Sequence, residues 1–228
     1  MHHLHNHCAN QAEHNVDVTP AAGVWLAAAA VFAIANWWSR WWRHRPTELW
    51  SKPLTLVALI GAALTVDPND PAVRTWFVVG LVLSLAGDVL LLDDRWFVPG
   101  LAAFLTGHVA YVMGFVLAGP WRWWAFALAW VGLGALAVTV GRRVVTGAVE
   151  HRATLRVPVA SYLGVISLMV AAAAAAGNAW ALAGALLFLT SDSILGWRQF
   201  VARQPWMPVT IMVTYHLAQA GLVLSLTG

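Results

Sequence analysis

The chain has 228 residues, 60% of them hydrophobic and 10% charged, with a net charge of +3 and a mean hydropathy of +0.68. Soluble domains carry about 25% charged residues, so this composition describes an all-α integral membrane protein with no room for a separate soluble domain. The small positive charge sits between apolar runs and argues against a nucleic-acid partner, and a lone cysteine, Cys8, excludes an internal disulfide.

Residues 1–19 form a polar tail holding His2, His3, His5, His7, Cys8 and His14. A plain tail and a metal-binding tract are both open readings of it. No cleavable signal peptide is expected, since the first apolar run follows this polar leader and lacks a basic n-region. Eight apolar segments then make a single membrane domain over 20–226, near 20–38, 49–66, 75–92, 98–118, 121–140, 156–176, 179–197 and 206–226. Each is judged against the roughly 20 residues that a spanning helix needs. The second is the weakest, because its apolar part runs only from Leu54 to Val66. Brief connections carry turn residues, as in Asp67-Pro-Asn-Asp-Pro71.

The connections after helices 1, 3, 5 and 7 hold eleven of the 13 Lys and Arg, among them Lys52, Arg95, Arg142, Arg143 and Arg198. The opposite side holds Arg74 and Arg122. The positive-inside rule then makes the basic loops cytoplasmic and puts both termini outside, as expected in a bacterial inner (cell) membrane. Trp residues crowd the predicted helix ends, at Trp37, Trp38, Trp41 and Trp42 and again at Trp121, Trp123 and Trp124. An interfacial belt accounts for them.

Two carboxylates interrupt runs otherwise fit for lipid: Asp88 in GLVLSLAGDVLLL and Asp192 in GALLFLTSDSILG. A charged side chain at the centre of a membrane helix costs about 2.5–3.5 kcal/mol on insertion scales and is expected to face protein or water. With helices 3 and 7 running the same way, both carboxylates lie roughly 6–8 Å from the cytoplasmic ends of their helices. Helices 4 and 8 carry His108 and His216, and helices 2 and 6 open on Lys52-Pro53 and Val157-Pro158. The order Pro, Asp, His thus recurs four helices apart, which predicts a 4+4 parallel pseudo-repeat about an axis along the membrane normal. Such an axis would gather Asp88, Asp192, His108 and His216 around one cavity.

Two carboxylates in one low-dielectric cavity suit acid/base work, one holding a proton while the other is ionised. Structural anchors joining helices are the alternative. Tyr111 lies one turn after His108, and Gln219 one turn after His216. Each His either orients or protonates a carboxylate, or makes an ordinary interhelical hydrogen bond. Two His and two Asp also suit zinc or another divalent ion, although no HExxH-type motif accompanies them. Ser84, Ser191 and Ser193 are hydrogen-bonding candidates beside the aspartates. Tyr162 and Ser167 are candidates for the cavity wall, with Tyr215 beside His216. Lys52 is read as a lipid-phosphate ligand or a snorkelling topogenic lysine. The run Ala171–Ala176 is read as close helix packing.

The pieces SKPLT (51–55), GLVLSLAGDVLL (80–91), GLAAFLTGHVAY (100–111), GALLFLTSDSILG (184–196) and TYHLAQ (214–219) resemble the YhhN-like lysoplasmalogenase family. The resemblance covers about residues 20–226. It implies an eight-helix membrane hydrolase that cleaves the vinyl-ether bond of a lysophospholipid, the lysoplasmalogen, with no metal cofactor. A fatty aldehyde and a glycerophospho-ethanolamine or -choline would be the products. The family's two key aspartates carry over onto Asp88 and Asp192, and its motif His and Tyr onto His108 and Tyr111. Vinyl ethers hydrolyse through protonation of the β-carbon, which suits an acidic pair. Two rival classes remain at this point: a proton-coupled transporter, because paired Asp and His in a repeated bundle also suit a translocation path, and a metal-dependent lipid hydrolase of other specificity, such as an amidase.

Overall fold

The computed structural model describes residues 18–68, 70–119 and 121–227. The His-rich tail reading therefore falls on residues outside the description. Among the described residues the elements are helical throughout: α1 (Pro20–Trp42), α2 (Arg45–Thr65), α3 (Pro71–Leu90), α4 (Phe97–Leu117), α5 (Trp123–Leu136), α6 (Arg142–His151), α7 (Arg156–Ala176), α8 (Ala179–Phe200) and α9 (Met207–Leu224). A π-helical turn, Ala137–Gly141, joins α5 to α6 without a break.

Local chemistry explains the boundaries. Thr19 caps α1 by accepting from the Ala22 amide, and the same hydroxyl donates to the Thr65 carbonyl at 2.7 Å. Asp70 accepts from Ala72 ahead of Pro71, which occupies the first turn of α3, where a missing N–H costs nothing. Asn178 caps α8 through the Ala181 amide. Gly177 closes α7 with φ +75°, a left-handed conformation that glycine adopts without a Cβ penalty.

Among the described residues seven segments are long and apolar enough to cross a membrane, the unbroken Trp123–His151 counted as one. α2 has the length but not the apolarity. It compensates by packing: it lies antiparallel along α1 from Thr19–Thr65 at one end to Asn36–Ser51 at the other, and it also contacts α3 and α9. Ser51, Lys52 and Thr55 are thereby buried.

The fifth predicted segment needs correction. It does not stop at 140 but continues through the π turn to His151, so Arg142 and Arg143 are helical rather than in a loop. Arg40, Lys52 and Arg198 likewise lie within helices. Hydropathy falls there, but an amphipathic helix continues past that point: α6 buries Val144, Gly147 and Ala148 against the bundle while Arg142 and Arg143 stay exposed.

Close approach of small residues holds the bundle. A Cβ on Gly80 would meet the Tyr111 ring at 2.5 Å, and one on Gly114 would meet Phe77 at 2.6 Å, so α3 and α4 nest glycine against aromatic ring. Ala171, Ala172, Ala173 and Ala175 are fully buried, as the close-packing reading of that run expects. Trp41, Trp42, Trp123 and Trp124 are exposed near helix ends, the position of an interfacial belt.

Candidate active site

The two aspartates occupy different surroundings. Asp88, near the end of α3, has a side chain 1% exposed. Its Oδ1 pairs with Lys52 Nζ at 3.1 Å, and Lys52 also donates to the Asp88 carbonyl at 3.4 Å. Tyr215 of α9 donates to Asp88 Oδ2 at 2.9 Å. Lys52 is therefore turned inward rather than toward a lipid phosphate or the interface. A buried carboxylate needs a counter-charge more than an exposed interface needs a lysine.

Asp192, on α8, has a side chain 9% exposed. It accepts a short hydrogen bond from the Tyr162 hydroxyl of α7. His108 of α4 presents Nε2 at 3.8 Å from Asp192 Oδ2. The imidazole is wedged edge-on against Tyr162 and Phe188, with ring centroids at 5.4 and 4.5 Å.

Asp192 lines a cavity of about 480 Å³ walled by α4, α5, the π turn, α6, α7 and α8. Tyr162, Ser193 and Ser167 share that wall, together with Gln199 and Arg142. The rest is overwhelmingly aliphatic and aromatic. Asp88 is not part of the wall. Phe104, Phe188 and Tyr215 pack edge to face at 5.4–6.4 Å, with Tyr215 bonded to Asp88 and Phe188 against His108. Of the four residues expected around one hollow, Asp88, Asp192, His108 and His216, Asp192 is the one that lines this cavity.

The remaining predicted residues make contacts of their own. His216 accepts from Trp37 Nε1 at 3.0 Å. Tyr111 donates to Gln219 Oε1 at 2.6 Å, deep in the core. Ser84 is buried facing Gly107, and Ser191 donates to the Ile211 carbonyl, tying α8 to α9. Among the described residues no three His, Cys, Asp or Glu side chains converge. Outside the spans, hydrogen bonds from the Arg95 side chain and amide hold the Asp93 carboxyl down to about 2.

Sequence reasoning missed Trp37, Arg142, Gln199 and the π turn. Trp37 lay hidden among belt tryptophans, and Arg142 among topogenic arginines. No local pattern marks a π turn, although such turns recur at functional sites.

The sequence profile of the YhhN family matches residues 47–226. The chain belongs to the YhhN family. Human lysoplasmalogenase TMEM86B is 34% identical over 180 residues, which cover 76% of this chain and 73% of the human protein. Rat lysoplasmalogenase TMEM86B is 30% identical over 66% of this chain and 61% of its own length. A lysoplasmalogenase of Mycobacterium bovis is 30% identical over 72% of this chain and 65% of its own. The chain thus spans somewhat less than two thirds of the rat and mycobacterial relatives. No solved structure matches it. The region matched as YhhN contains both aspartates, His108, Tyr162 and Tyr215; Trp37 precedes it.

Proposed function

We propose that the chain is a lysoplasmalogenase: an intramembrane hydrolase that cleaves the vinyl-ether bond of a lysoplasmalogen to a fatty aldehyde and a glycerophospho-alcohol. The observation that carries this reading is Asp192, a carboxyl hydrogen-bonded to Tyr162 and opening on an apolar cavity in a YhhN-family bundle. The names of the relatives supply the substrate class.

Asp192 delivers its proton to the β-carbon of the vinyl ether, leaving an oxocarbenium ion whose positive charge faces the new carboxylate. A water held between His108 Nε2 and Asp192 adds to the cationic carbon; their 3.8 Å separation is too long for a direct hydrogen bond and suits a bridged one. The proton that this water gives up returns to Asp192, and the hemiacetal collapses to aldehyde and free hydroxyl. Tyr162 and the ring wedge around His108 fix both groups. Asp88, ion-paired with Lys52, orients Tyr215. The chemistry proposed uses these side chains without a metal.

The topology proposed is eight spans in two parallel halves, with basic ends cytoplasmic and both termini outside. Its support is the pattern of contacts. α1 packs on α2 as α5–α6 pack on α7, and α3 on α4 as α8 on α9. Each aspartate takes one partner from the preceding helix, Lys52 or Tyr162, and one from the last helix of the other half, Tyr215 or His108. Tyr111 and Gln219, at equivalent places after the two histidines, bond to each other.

The decisive experiment incubates purified protein with a lysoplasmalogen and follows aldehyde by mass spectrometry. Asp192→Asn is expected to stay folded and release none. Turnover persisting in that variant would overturn the assignment.

A further inference from the structure

A second hollow of about 650 Å³ runs between α5, α7 and α8 toward the end of the bundle that carries Arg122 and Asn178. Leu133, Leu136 and Leu189 line both this hollow and the cavity of Asp192, so the two share a wall of three aliphatic side chains. From Asp192 back to Ala179 along α8 the two together cover roughly 20 Å. That exceeds the roughly 15 Å that the chains of one leaflet span in a 30 Å core, so it is long enough for one long lipid chain. Leu128 and Leu186, flanking the groove on α5 and α8, are 66% and 45% exposed, so its side opens to the surrounding hydrocarbon. Gly132 lies on its floor, and a Cβ there would meet nothing within 4 Å.

We propose that this groove holds the alkenyl chain of the substrate and sets which chain lengths are cleaved, with the vinyl ether at Asp192 and the headgroup beyond it at the basic end. The proposal rests on the hydrolase reading above and adds the tail subsite to it. The reactive bond of such a lipid joins directly to its hydrocarbon chain. Placing that bond at Asp192 therefore requires an apolar path leading away from it, and the groove abuts the Asp192 cavity across side chains that both share. Three shared leucines make the joint, and the wall beyond them is aliphatic apart from its far end. The space beside Gly132 gives the path its width midway.

The test uses full-length protein in vesicles and a series of lysoplasmalogens differing only in chain length, from octenyl to octadecenyl. Gly132→Trp puts an indole into the groove. It is expected to lower kcat/KM for the octadecenyl substrate at least about tenfold relative to wild type, while the octenyl substrate stays within about threefold. Ala125→Trp, two turns nearer the far end, is expected to penalise the longest chains alone. An unchanged length preference in both variants, as when a bilayer lipid rather than the substrate fills the groove, overturns the proposal. So does a loss equal at every length in Ala125→Trp. Failure of the wild-type protein to release aldehyde at any length would overturn the hydrolase reading instead, and a different result would mark each.

Discussion

Lys52 and Asp88 form the charge pair on which the sealed half of the site depends. Removing one partner of a buried pair strands the other, at a typical cost of about 3–5 kcal/mol. Lys52→Met should therefore lower the thermal midpoint of the purified protein markedly, and Lys52→Met with Asp88→Asn should recover most of the loss. If the single variant melts with the wild type, the pair does not govern stability. The residue types at this site were legible in the sequence: an aspartate inside an apolar run announces a functional or anchored carboxylate wherever it falls. Its partner was not legible. Lys52 has the local context of an interfacial lysine, and only the packing of α2 on α3 turns it toward Asp88. The same blindness hid Trp37, whose bond to His216 crosses 179 positions of chain.

At the level of elements, α6 is held by a very close contact. A Cβ on Gly147 would stand 2.1 Å from the Phe200 carbonyl oxygen on α8, where backbone rather than a flexible side chain must yield. Overpacking of that kind typically costs about 1–3 kcal/mol, so Gly147→Ala should lower the thermal midpoint and loosen the cavity wall to which α6 contributes Val144 and Val145. Gly23→Ala is the control, because nothing lies within 4 Å of its Cβ position, and it should melt no lower than wild type. Helix positions followed from hydropathy because each span must satisfy its own backbone in lipid. The seventh element, Arg156–Ala176, begins and ends where the sequence placed it. Hydropathy fails where a helix leaves the hydrocarbon yet continues, as α5 does through the π turn into α6. Interhelical hydrogen bonds such as Asn36–Ser51 average about 0.6 kcal/mol each in membranes. They fix the register of α1 on α2 more than they hold the pair together.

For the molecule as a whole, the proposed orientation can be read chemically. In a Cys8→Ala background, a cysteine at Asp67 should react from outside intact cells with a membrane-impermeant maleimide, and one at Arg95 should react only after permeabilisation. Both positions are exposed. The reverse pattern would invert the topology while leaving the site chemistry intact. The proposed repeat rests on a recurring order of Pro, Asp and His. The difference between the two aspartates was not legible, because it depends on tertiary packing: Asp88 is buried against Lys52 and Tyr215, whereas Asp192 lines the cavity beside α5. The segment Trp123–His151 is also the span least covered by the rest of the protein. The outer boundary of the Asp192 cavity is thus a thin wall backed by acyl chains, and the bilayer completes the enclosure. Catalytic rate should then follow the thickness and fluidity of the host membrane, which makes lipid composition a working component of the enzyme rather than its container.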